Sequence, residues 1–262
     1  MTSPLRGRGE RLDIVILGLS LTSSWGNGHA TTYRALVKAL AARGHRVRFF
    51  ERDVAWYARN RDLPRPPYAD LCLYRSLEEL NDEGADPISR ADLVIVGSYV
   101  PDGIAVGTWV REIARGLVAF YDIDTPVTLA SLENGGAPYL LPAQIPGYDL
   151  YLSFTAGPVL QRLERDFGAR AARPLLCAFD PDVYRPEARP ALWDLGYMGT
   201  YSADRQAGLA SSSSASPAWR SAPSRSPGRS TRRSSFGPTT SSASSTCPPA
   251  STAGSTAASA SR

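Results

Sequence analysis

Residues 12–53 read LDIVILGLSLTSSWGNGHATTYRALVKALAARGHRVRFFERD. Asp13 to Leu19 is a short Ile- and Val-rich run ending in Gly18-Leu19-Ser20, the composition of a strand buried on both faces of a parallel sheet. Ser20 to His29 is a polar loop with Gly26 and Gly28. Tyr33, Leu36, Val37 and Leu40 then recur at helical spacing until Gly44 stops the helix, and Arg46 to Phe50 reads as the next strand. A strand, glycine-bearing loop, helix and strand in this order make one α/β unit. Its loop falls outside the carboxyl ends of the strands, where open α/β sheets bind ligands.

Gly26 and Gly28 let the backbone approach a ligand closely, and the helix that follows turns unpaired N–H groups toward it. An anionic or hydroxyl-rich ligand suits that arrangement. His29 falls at the helix start, where the positive end of the dipole disfavours imidazolium and keeps the ring neutral, as a general base requires. The competing explanation is a tight turn followed by a partly buried loop histidine.

Further along, Leu71 to Tyr74, Asp92 to Gly97, Leu117 to Tyr121 and Leu150 to Phe154 read as strands. Ser76-Leu-Glu-Glu79 is a capping box that starts a short helix. Gly103 to Arg115 and Pro158 to Phe167 carry helical apolar spacing. Strands alternating with helices predict an α/β fold with a Rossmann-like parallel sheet over residues 12–190, preceded by a flexible N-terminus, residues 1–11.

Two acidic clusters lie at strand ends. Glu51 and Asp53 stand where nucleotide-binding folds hold ribose hydroxyls, although solvated strand-end charges have the same pattern. Asp122-Ile-Asp124-Thr-Pro126 places two carboxylates by alternation on one side of a strand end. Such a pair can hold a divalent metal that bridges a diphosphate, but Asp before Thr-Pro also serves simply to start a turn and cap a helix, which is the preferred reading, and no metal is expected. Cys72, Cys177 and Cys247 are too few and too scattered for a disulfide framework or a zinc site. No run approaches a membrane span and Met1 to Arg11 has no apolar core, so a cytoplasmic location is expected.

The composition changes abruptly near the end. Residues 207–262 hold 19 Ser and six Arg, with no Asp, Glu or Lys and a single Leu. This segment cannot bury enough apolar surface to offset ordering and is expected to be disordered. The formal charge of +4 comes from it: without its six arginines, 23 basic residues face 25 acidic ones. The positive balance therefore does not point to nucleic acid.

Several stretches together resemble the CgeB-like (spore maturation protein) glycosyltransferase family of GT-B type: ILGLSLTSSWGNGHATTYRAL, RFFERDVAWYARNRDLP, DLVIVGSYVPDG, AFYDIDTPVTLA, YDLYLSFTAGPVL and WDLGYMGTYSADRQ. The resemblance covers residues 12–206. It implies two facing Rossmann-like domains, the first receiving a hydroxyl acceptor and the second a nucleotide-sugar donor, with no further cofactor. On it, Gly26, Asn27, Gly28 and His29 line the cleft with His29 as base, and Tyr99, Asp122 and Asp124 share the rim. Tyr201, Ser202 and Arg205 open the donor domain, of which residues 191–206 are the first strand and loop.

After Gln206 the resemblance ends. The chain uses 28 Arg against one Lys, Lys38, as a GC-rich gene does, and out-of-frame translation of such a gene gives Ser, Arg, Pro, Ala, Gly and Thr. Residues 207–262 are therefore read as an out-of-frame stretch, with a genuine Ser/Arg-rich tail as the alternative. Two other functions compete with transfer: a non-catalytic carbohydrate or surface-layer binding module, and a nicotinamide-dependent oxidoreductase. The second is weaker because Gly26 follows the strand end by about seven residues, whereas the dinucleotide fingerprint puts its glycines directly after the strand.

Overall fold

The computed structural model describes residues 10–186, 188 and 190. Readings that concern residues 1–9 and 191–262, including Tyr201, Ser202, Arg205 and the Ser/Arg-rich segment, lie outside them.

Seven strands form one sheet in which every pair is parallel: β1 (Asp13–Gly18), β2 (Arg46–Arg52), β3 (Asp70–Tyr74), β4 (Leu93–Gly97), β5 (Leu117–Asp122), β6 (Leu150–Ser153) and β7 (Ala172–Pro174). Their spatial order is β3-β2-β1-β4-β5-β6-β7. The order reverses between β1 and β4, the switch point beyond whose carboxyl ends open α/β sheets bind ligands.

Helices cover both faces, as buried parallel strands require. On one face, Ile14, Ile16, Val47, Phe49, Ile95 and Tyr121 pack with Tyr33 and Val37 of α1 (His29–Ala42). On the other, Val15, Leu17, Phe50, Val94, Val96 and Phe120 pack with α3 (Leu77–Arg90), α4 (Gly103–Ile113), α5 (Thr125–Glu133) and α6 (Pro158–Phe167), through Leu80, Ile88, Val110, Leu129 and Leu163. A short α2 (Ala55–Ala58) follows β2. The α/β, parallel-sheet expectation is thus met.

Local signals act as read in most places. Gly44 takes φ +86 and ends α1, a conformation that costs a side-chain-bearing residue about 1 kcal/mol. Ser76 accepts from the Glu79 amide at 3.2 Å, and Glu79 returns its carboxylate to the Arg75 amide at 2.7 Å. The helix so capped runs for 14 residues, longer than the single box suggested. The 3-10 turn Pro142–Gly147 and the three-residue β7 have no sequence period to announce them.

Two glycines let α1 settle close to the sheet. A methyl group at Gly18 would overlap the Phe49 ring, and one at Gly97 would overlap the Tyr33 hydroxyl. Tyr33 is fully buried beside the ends of β1 and β4, one turn after His29. Among the described residues no helix is long and apolar enough to cross a membrane.

Candidate functional site

The β1–α1 loop has a clamped base and an open tip. Glu51 pairs in register with Gly18, which sets its carboxylate level with the loop. That carboxylate is fully buried and accepts from the Leu21 amide at 2.6 Å, the Thr22 amide at 2.9 Å, Thr22 Oγ1 at 2.6 Å and Ser20 Oγ at 3.2 Å. Arg34 of α1 forms a two-pronged pair with Asp62 at 2.9 and 2.7 Å and donates to the Leu21 carbonyl at 2.8 Å. Asp62 in turn accepts from the Ser24 amide and hydroxyl. These donors, Arg34 foremost, hold the Asp62 carboxyl well below its ordinary range.

Glu51 is therefore neither a solvated strand-end charge nor a free ribose ligand, because its lone pairs are spent on the loop. Asp53 is taken as well, by Arg61 at 2.5 Å. With both acids engaged, the nicotinamide reading loses its ribose acceptor.

Beyond Ser24 the loop opens. Trp25 is 56% exposed. Gly26 adopts φ +66 with nothing within 4 Å of a side chain placed there. Asn27 is occupied locally: its Oδ1 accepts from the Ala30 amide at 3.0 Å, capping α1 in place of Gly28, and its Nδ2 donates to the Ser23 and Trp25 carbonyls. Gly28 is the N-cap residue and has no side chain to offer.

His29 opens α1 at the switch point. Its Nε2 lies 3.6 Å from Asp124 Oδ2, too long for a hydrogen bond and close enough for strong electrostatic coupling. The imidazole is 8% exposed and the Asp124 side chain 44%, so a ligand meets the carboxylate first and the ring behind it. Nδ1 is buried with no partner among the described residues. Burial lowers the His29 pKa below its ordinary value, and Asp124 pulls the other way without cancelling that effect. The ring is neutral at neutral pH.

Tyr99, from the loop after β4, packs edge-on against His29 with ring centres 5.4 Å apart. It adopts φ +62, and Asp102 on the same loop φ +56. Left-handed residues other than glycine cost about 1–2 kcal/mol each, so the surroundings must hold them. Arg52 does so in part, pairing with Asp102 at 3.0 Å, and Tyr139 does so by packing 4.6 Å from Tyr99.

Asp122 and Asp124 do not share a side. β5 ends at Asp122, and the chain turns at Asp124 (φ −132, ψ 46), so strand alternation does not carry across. Asp122 is fully buried, with both oxygens satisfied inside the protein. Asp124 occupies the N-cap position of α5 but makes no side-chain cap bond, which leaves its carboxylate turned to His29. A metal held by the two carboxylates together is incompatible with this divergence.

The structure thus brings His29, Asp124 and Tyr99 together from three connections at the switch point. Gly28 directly precedes His29, Asn27 braces the helix, and Asp122 lies behind. Sequence reading missed Tyr139, Thr128 and the Glu51 clamp. Only Glu51 carried a signal, as an acid directly after the apolar pair Phe49-Phe50. Comparison with known proteins finds no family model that matches the chain, and no curated protein matches it.

Proposed function

We propose that this domain is the acceptor side of a glycosyltransferase of the CgeB-like, GT-B type. It would pass a sugar from a nucleotide-sugar donor to a hydroxyl acceptor. The observation that carries the reading is the neutral His29 ring 3.6 Å from the exposed Asp124 carboxylate at the switch point of the sheet. An acceptor hydroxyl that reaches the imidazole gives its proton to the ring's unprotonated nitrogen as its oxygen bonds to the anomeric carbon, and the nucleoside diphosphate leaves. Asp124 stabilises the imidazolium that forms. Tyr99 offers a half-exposed ring for the apolar face of a sugar.

The donor side belongs, by the resemblance, to the residues after Trp193. On this reading the 262-residue chain binds acceptors without transferring, and a chain with the frame restored after Gln206 transfers. The test measures transfer from uridine- and guanosine-diphosphate sugars to oligosaccharides with both chains. In the transferring chain His29→Ala should lower turnover by ~10²- to 10⁴-fold. An equally active variant removes His29 from the chemistry.

A further inference from the structure

We propose that Asp122 is a positioning residue that holds the His29–Asp124 pair in place from beneath, by two separate routes. The inference rests on the reading of that pair as the site. The first route is direct: the Asp124 amide donates to Asp122 Oδ1 at 3.1 Å. This closes the turn that ends β5 and leaves the Asp124 carboxylate free of α5 and facing the ring. The Thr125 hydroxyl, donating to the Asp122 carbonyl at 3.3 Å, tightens the same turn.

The second route runs through side chains. Thr128 Oγ1 donates to Asp122 Oδ1 at 2.8 Å and lies 2.8 Å from the Tyr139 hydroxyl. Thr128 has one hydroxyl proton, so once it is given to Asp122 the Tyr139 hydroxyl must donate to Thr128. Tyr139 is thereby fixed, packs on Tyr99 at 4.6 Å, and Tyr99 meets His29 edge-on at 5.4 Å. Asp122 Oδ2 is anchored by the Tyr151 hydroxyl at 2.7 Å, which joins the network to β6. Burial pushes the Asp122 carboxyl above the usual range and the hydrogen bonds from Tyr151, Thr128 and the Asp124 amide oppose that, so the group is expensive to bury, and here its contacts converge on both partners of the pair.

The groups that face His29 are Asp124 before α5, Tyr99 after β4 and Tyr33 on α1 itself. Cys177, beyond β7, adds a thiol beside Thr32 and within the field of Asp124. Asp124 is the group that raises the His29 pKa, so the His29 titration reports how well the pair is held.

The experiment follows the His29 ring resonances against pH by NMR in the 262-residue chain. Asp122→Ala cuts both routes and should lower the His29 pKa by about half a unit or more. Asp122→Asn removes the charge but keeps an oxygen for the Asp124 amide and Thr128, and should leave the titration in place. Ile88→Ala, a cavity on α3 away from the pair, controls for loss of stability and should also leave it in place. The proposal is overturned if Asp122→Ala leaves the pKa unmoved, if Asp122→Asn moves it as far, or if Ile88→Ala does so. Should Asp122→Ala not fold, Thr128→Val decides: a downward shift supports the side-chain route and no shift overturns it. Absence of transfer by the chain with the frame restored after Gln206, alongside the expected titration shifts, would sink the glycosyltransferase reading while leaving the positioning role standing.

Discussion

His29 and Asp124, 95 positions apart in the chain, meet at 3.6 Å because α1 and α5 both begin at the carboxyl edge of the sheet. Burial and the carboxylate oppose each other at the ring, and burial prevails, so the folded-state pKa lies below the unfolded value of 6.5. The unfolded chain therefore binds more protons than the folded one between those two pKa values. Stability contributed by His29 is full above 6.5, falls as the pH drops through that window, and levels off below the folded pKa. Asp124→Asn removes the opposing pull and should lower the His29 pKa further, widening the window. Denaturant unfolding followed from pH 8 to pH 5 in both proteins checks this, and an upward shift in the variant would contradict it.

The clamp on the loop base should dominate its stability. Glu51→Ala strands the Leu21 and Thr22 amides and the Thr22 hydroxyl in a fully buried place, while the Ser20 hydroxyl keeps the Ser23 carbonyl. Each buried unsatisfied group costs roughly 1–3 kcal/mol, so the loss should reach at least about 3 kcal/mol, with Glu51→Gln losing less. Urea unfolding measures both, and a loss within about 0.5 kcal/mol for alanine would mean that water replaces the carboxylate.

Tyr33 and Gly97 should be coupled. Gly97→Ala drives a methyl into the Tyr33 hydroxyl, which has no hydrogen-bond partner among the described residues. Overpacking of this kind costs about 1–3 kcal/mol. Tyr33→Phe deletes the clashing atom and an orphan polar group together, so it should be nearly neutral alone and should rescue much of the Gly97→Ala loss. A double-mutant cycle that sums the two changes without coupling would refute the contact.

Lys38, the chain's single lysine, joins α1 to Asp180 and Asp182 at 2.7 Å each. The pair tethers a segment whose Phe179, Val183 and Tyr184 are exposed. Lys38→Ala, or added salt, should quicken hydrogen exchange at the Val183 and Tyr184 amides, which bond back to the Asp180 carbonyl. Unchanged exchange would mean that the turn holds itself.

Much of the sheet was legible because buried parallel strands carry an unbroken apolar signature, as in Asp13–Gly18 and Leu93–Gly97. His29 was legible as the first residue after a glycine-bearing loop, and Asp124 as the residue before Thr125-Pro126. That they share a rim was expected, but that the two side chains face each other was not legible, since it depends on a strand order that no local pattern encodes. Asp122 was misjudged for a similar reason: alternation describes a strand, and the strand ends at that residue. Tyr139 lies in a stretch between α5 and the 3-10 turn with no period of its own, so its packing against Tyr99 comes from tertiary structure alone.

The most direct test of the acceptor-side account is to follow the His29 and Tyr99 ring resonances while the 262-residue chain is titrated in turn with oligosaccharides, uridine- and guanosine-diphosphate sugars and nicotinamide dinucleotides. The account predicts saturable shifts of both rings with a hydroxyl-rich acceptor, abolished in Asp124→Ala, and no comparable response to dinucleotides. Rings that stay still with every oligosaccharide, or that respond most strongly to a nicotinamide dinucleotide, would contradict it.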